Sequence, residues 1–124
     1  MENNFDFRSM MQSKTKQFAL RVIQLYKTLP RTDEAYILGK QLLRSATSVG
    51  ANYRASCRAR SAKEFYSKIS IVIEEADESM FWLELLVESE IVDRAKVNDL
   101  YLENEEILKI LVAARKSFSH SRQL

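Results

Sequence analysis

The sequence predicts an all-α fold, an antiparallel up-down-up-down four-helix bundle. Three observations predict it. Glycine and proline, the residues that turns and strand bends need, number only 2 and 1 in 124 residues. Apolar residues recur at alternating spacings of three and four over segments of 20 residues or more. The breaks between these segments are short, and short connections make consecutive helices antiparallel neighbours. At this length the chain forms one domain with a single core.

The first helix is expected at about 7–29. Met11, Phe18, Val22, Leu25 and Leu29 follow the spacing, with Thr15 at the skipped position. Ala19, Ile23 and Tyr26 widen the stripe, and Pro30 ends the helix because it offers no N–H and restricts the residue before it. The second helix is expected at about 33–58, capped by Thr32 or Asp33. Leu42, Ala46, Val49, Tyr53 and Cys57 lie along one face. Gly39 and Gly50 each weaken a helix interior by roughly 1 kcal/mol relative to alanine. Gly50 reads either as a kink or as a close helix contact, and the nearby Ala46 and Ala51 favour contact.

Ser61-Ala62-Lys63-Glu64 has the capping-box pattern and opens the third helix, expected at about 62–90. Phe65, Ile69, Val72, Ala76, Leu83 and Leu86 form its seam, with Ser79 or Met80 in the gap. Tyr66, Ile73, Phe81, Trp82 and Leu85 spread further round the cylinder. That is more apolar surface than one seam uses, and Tyr66, Phe81, Trp82 and Leu85 are the candidate oligomer interface. Asp93 can cap the fourth helix, expected at about 94–118. Val97, Leu100, Ile107, Leu111, Ala114 and Phe118 line it, with Asn104 a polar residue within the seam. Residues 119–124 are expected to be a frayed tail.

Net charge is only +2, but its distribution is uneven. Between Lys40 and Lys68 stand Lys40, Arg44, Arg54, Arg58, Arg60, Lys63 and Lys68 against the single acid Glu64. Between Ile69 and Asp93 stand Glu74, Glu75, Asp77, Glu78, Glu84, Glu88, Glu90 and Asp93, with no base. Two readings stay open: charge pairing between neighbouring helices, or a basic face that recruits a polyanion. No catalytic or metal site is expected. The one histidine, His120, lies in the tail, so the Glu-x-x-His pairs of di-iron bundles are missing. An oxygen-only site among the acids is a poor alternative to a solvated face. Two isolated glycines cannot form a phosphate-binding loop. Cys57, the sole cysteine, lacks a histidine nearby in sequence and reads as a packing residue in a reducing cytoplasm. No apolar signal core and no membrane-length apolar run is seen, so neither secretion nor membrane insertion is expected. No cofactor is expected.

Several short stretches together resemble a known family. They are Leu29-Pro30, Leu42-Leu43-Arg44-Ser45-Ala46, Ser48-Val49-Gly50-Ala51-Asn52, Ser61-Ala62-Lys63-Glu64-Phe65, Glu74-Glu75-Ala76-Asp77-Glu78-Ser79 and Trp82-Leu83-Glu84-Leu85. The chain resembles, from about Phe7 to Phe118, the bacterial four-helix-bundle proteins found as reading frames inside intervening sequences of large-subunit ribosomal RNA genes. That family includes the accessory variability determinant of diversity-generating retroelements. Many members read Pro-Ala-Asn-Ile-Ala-Glu-Gly where this chain has Gly50-Ala51-Asn52-Tyr53-Arg54-Ala55-Ser56. The usual acid is absent, no role for it transfers, and Arg54 makes the segment more basic. The resemblance implies a homopentameric barrel. Its retroelement member binds a reverse transcriptase and nucleic acid through a basic surface, which makes a reverse transcriptase a candidate partner.

The expected function is a non-enzymatic, homo-oligomeric scaffold that binds RNA or DNA backbone through Arg54, Arg58, Arg60, Lys63 and Lys68. Arginine meets phosphate with a planar fork, and Arg54 and Arg58, four apart, share a helix face. Arg44 stands apart from them. It is assigned to structural ion pairs with Glu78 or Glu84, acids typical of the family. The alternative is an assembly module whose basic residues are mainly held in such pairs.

Overall fold

A computed structural model describes residues 4–122, with side-chain surroundings for residues 6–117. Four helices run in order: α1 Asn4–Lys27, α2 Asp33–Ser56, α3 Ala62–Glu88 and α4 Arg94–Arg122. No strand occurs among the described residues. Each helix packs on its chain neighbour, and α1 also meets α4, though less closely than any consecutive pair meets.

The predicted seams form the core, with Leu29, Cys57, Phe65 and Ala114 only half-buried at its edges. Met11, Phe18, Val22 and Leu25 of α1 are buried against Leu42, Ala46, Val49 and Tyr53 of α2. Ile69, Val72, Ala76, Leu83 and Leu86 of α3 and Val97, Leu100, Ile107 and Leu111 of α4 complete it. Phe118 lies outside the described side chains. Polar residues in the seams find partners mostly at short range. The buried Thr15 hydroxyl donates to the Met11 carbonyl at 2.8 Å, so it costs α1 little. Both residues named for the α3 gap are buried, and the Ser79 hydroxyl meets that of Ser45 at 2.8 Å. Asn104 donates to the Ala76 carbonyl at 2.9 Å, while its Oδ1 has no partner among the described residues. A polar amide at a buried seam position favours one register at some cost in stability.

The helix ends explain the differences from the expected bounds. At the end of α1, Thr28 and Leu29 donate to the carbonyls of Leu25 and Tyr26, three residues back. This tighter turn closes the helix at Lys27, before Pro30 is reached. Thr32, not Asp33, caps α2, and its hydroxyl accepts from the Ala35 N–H at 3.2 Å. The same tightening at Arg58 and Ala59 ends α2 at Ser56. Ser61 caps α3, accepting from the Glu64 N–H at 3.1 Å. Glu64 reaches back one residue further than a capping box requires, accepting from the Arg60 N–H at 2.7 Å. The Asp93 carbonyl accepts from the Lys96 N–H at the start of α4. The backbone of α4 stays helical to Arg122, so the expected frayed tail is helix as far as that residue.

Both glycines of α2 face α1, and one of them meets it too closely for a side chain. A Cβ at Gly39 would stand 2.6 Å from Leu29 Cδ1 and 3.1 Å from the Tyr26 ring. One at Gly50 would stand 3.4 Å from the Thr15 carbonyl oxygen. Gly50 thus faces the α1 backbone at ordinary contact distance, without breaking α2, whereas Gly39 is the position where a Cβ would not fit.

The turn after α3 holds a residue in a costly conformation. Ile91 donates to the Leu86 carbonyl and Glu90 to that of Val87, the paired bonds of a Schellman motif. Its left-handed position is filled by Glu90, at φ 66°, where glycine avoids the Cβ clash. Glu90→Gly is expected to raise stability by about 1 kcal/mol, read as a higher urea midpoint with unchanged slope. No gain would mean that the Glu90 side chain makes compensating interactions.

Candidate nucleic-acid interface

Antiparallel packing gathers four helix ends at one end of the bundle: the start of α1, the end of α2, the start of α3 and the end of α4. The basic residues expected to bind phosphate stand here. Arg54 is exposed on the last turn of α2, and Arg58 is exposed on the turn that follows. Arg58 therefore extends the patch from a turn and does not share a helix face with Arg54. Lys63 is exposed on the first turn of α3. None of these three forms an ion pair among the described residues.

The other two candidates are less available. Arg60 lies 3.6 Å from Glu64, an exposed pair worth little. Glu64 is held below the usual carboxylate range first by the Arg60 backbone N–H and then by the charges of Arg60 and Lys68. Lys68 is half-buried, so its stem packs while its charge shares that acid.

Two further arginines, from α1 and α4, join the same end. Arg8 of α1 acts on the phenol of Tyr53, the buried side chain beneath the end of α2. Arg115 of α4 lies with its guanidinium carbon 5.8 Å from the Tyr66 ring centre, and Nη1 donates to the Ser70 hydroxyl at 3.1 Å. Neither falls in the basic segment between Lys40 and Lys68. Only the alternation of helix directions could have pointed to them. The Tyr53 hydroxyl contacts Cys57, and burial first, then that neighbour, pushes the phenol far up. Cys57 is half-buried and sits with the packing side of the helix.

Arg44 stands away from this end, in an ion-pair cluster. Its Nη1 lies 3.2 Å from Glu75 Oε1, and its Nη2 contacts Glu78 Oε2. The Trp82 indole N–H donates to the same Glu78 oxygen at 3.0 Å. Glu84 is not part of the cluster, which corrects its assignment as an ion-pair acid. Six residues rotate it by roughly 240° from Glu78, towards α4. There it accepts from the Tyr101 hydroxyl at 2.9 Å, and this bond pushes the Tyr101 phenol up.

The Glu78 carboxyl is held below its usual range by the Trp82 indole first and Arg44 second. A depressed folded-state pKa gives stability that is full above the unfolded carboxylate value of about 4.3 and lost as pH falls through the folded value. Glu78→Gln should therefore lower the urea midpoint at pH 7 but hardly at pH 3. The half-exposed setting keeps the difference below about 1 kcal/mol. A deficit independent of pH would point to lost packing instead.

The four candidate interface residues separate. Phe81 is 50% exposed and meets Trp82 edge-on, with centroids 5.0 Å apart. Trp82 and Leu85 are half-buried beside it. Tyr66 does not belong with them, because it lies roughly 22 Å back along the α3 axis, under Arg115. It is part of the basic end.

No group of three or more His, Cys, Asp or Glu among the described residues is arranged to hold a metal ion. A groove of about 340 Å³ between α3 and α4 holds Glu84, Arg94 and Tyr101, and one of about 490 Å³ lies at the α1–α2 turn. Both are away from the basic end. No helix among the described residues is long and apolar enough to cross a membrane.

Comparison with known proteins agrees with this fold. The family profile for the 23S rRNA-intervening sequence protein matches residues 9–113. The chain is also similar to the crystal structure of a Bacteroides thetaiotaomicron protein of unknown function from the S23 ribosomal protein family. The two share 36% identity over 88% of this chain and 97% of the other, with a TM-score of 0.82. No curated protein matches. With a profile match over most of its length and the bundle in place, this chain belongs to the 23S rRNA-intervening sequence protein family.

Proposed function

We propose that the protein is a non-enzymatic scaffold that self-associates and binds the backbone of RNA or DNA at its basic end. The supporting observation is the placement of Arg54, Arg58 and Lys63: three exposed cations, on two helices and the turn between them, with no ion pair among the described residues. Unneutralised cations within one patch attract phosphate and release its counterions. The ribosomal RNA context in the family's description favours RNA as the polyanion. Fluorescence polarisation with random-sequence RNA at two salt concentrations tests the reading: binding should be firm at low salt and fall steeply as salt rises. Absence of binding at low salt would end it.

The second reading, a protein assembly module, draws on Phe81, Trp82 and Leu85, which give α3 an apolar outer patch beside the Arg44–Glu75–Glu78 cluster. The two readings are compatible. A homopentamer is the assembly proposed, and five copies would multiply the basic field. Light scattering should give five times the 14.4 kDa chain mass; a monomer would refute it. A reverse transcriptase partner and a cytoplasmic location belong to the same proposal and rest on resemblance and composition.

A further inference from the structure

We infer that the basic end selects single-stranded over duplex nucleic acid, with Tyr66 backed by Arg115 as the platform on which an unpaired base stacks. The inference rests on the nucleic-acid reading above and names the class of ligand. Tyr66 follows Lys63 by three residues on α3, so the ring and that cation share a side of the helix. The ring is half-buried and carries the Arg115 guanidinium 5.8 Å from its centre. The Ser70 hydroxyl accepts from Arg115 at 3.1 Å and holds the guanidinium in place. No acid pairs with Arg115 among the described residues, so its charge remains available. The partly exposed ring and the arginine held against it bring aromatic surface and cation together beside Lys63, the combination on which unpaired bases stack.

Duplexes can use only the phosphate-binding part of this end. Paired bases already stack on one another and present only their edges. Reading those edges requires one element to enter a groove, and the A-form major groove is too deep and narrow for side chains to read. Here each helix is flanked by a neighbour at the usual spacing of about 8–10 Å, and neither α3 nor α4 stands clear of the other at Tyr66. A single strand can instead follow Arg54, Arg58 and Lys63 with its phosphates and place a base at Tyr66.

The test is fluorescence polarisation of the full chain with a labelled RNA strand of about 16 nucleotides, alone and annealed to its complement, at one low salt concentration. The single strand should bind at least tenfold more tightly. Tyr66→Leu, which keeps an apolar side chain in the half-buried site, should weaken single-strand binding about tenfold and leave duplex binding unchanged. Tyr66→Phe should leave both unchanged. Circular dichroism should confirm that each variant is folded. Duplex binding as tight as single-strand binding, or single-strand binding unaffected by Tyr66→Leu, would overturn the inference while leaving the phosphate site intact. If neither probe binds, the nucleic-acid reading fails and this inference with it.

Discussion

Replacing Arg54, Arg58 and Lys63 together by glutamate should weaken RNA binding on the order of a hundredfold at low salt and leave the fold intact. The binding loss follows from counterion release: each phosphate contact removed lowers the slope of log affinity against log salt by about one. Three lost contacts should therefore cut the slope by about three per chain, and reversed charges add repulsion. The intact fold follows from exposure, since none of the three is buried or ion-paired among the described residues. Thermal unfolding of the triple variant should consequently match that of the parent. A parallel variant with Arg44 alone replaced by glutamine is the control, because its guanidinium is occupied by Glu75 and Glu78. Unchanged affinity in the triple variant would remove these residues as the site; equal loss in the Arg44 variant would make the binding nonspecific.

Tyr53→Ala should destabilise the protein by about 3–5 kcal/mol, a large fraction of the stability of a domain this size. Tyr53 is among the largest side chains fully buried in the bundle, at 2% exposure. Truncation leaves a cavity below the end of α2, where Val49 and Ser56 on the same helix are also buried and the helix is about to end. Tyr53→Phe should cost less than about 1 kcal/mol, since Cys57, the neighbour that acts most on the hydroxyl, offers only a weakly hydrogen-bonding sulfur. Urea denaturation of the two variants separates volume from hydrogen bonding. Similar losses in both would show that the hydroxyl matters more than the ring.

The seams were legible in the sequence because a buried helix face imposes its spacing directly on residue type. Met11, Phe18, Leu42, Ile69, Leu83 and Ile107 all stand at seam spacing, and all are buried. Start signals were legible for the same local reason, as at Thr32 and Ser61, where a hydroxyl satisfies an N–H three residues on. Helix ends were less so. The tight turns at Thr28 and Arg58 depend on how the chain crosses to the next helix, and no single residue announces them.

By itself, then, the sequence determined the four-helix class, the residues facing the core and a basic segment followed by an acidic one. Periodicity, caps and composition act over a few residues, within reach of a single chain segment. The tertiary structure alone decided which side chains meet. It brought Arg8 and Arg115 to the basic end across many residues of chain, because antiparallel neighbours alternate their ends. It joined Arg44 to Glu75 and Glu78 while turning Glu84 to Tyr101, since rotation about α3 points acids on one helix at different partners. It also separated Tyr66 from Phe81, because position along a helix axis counts as much as the face a residue occupies.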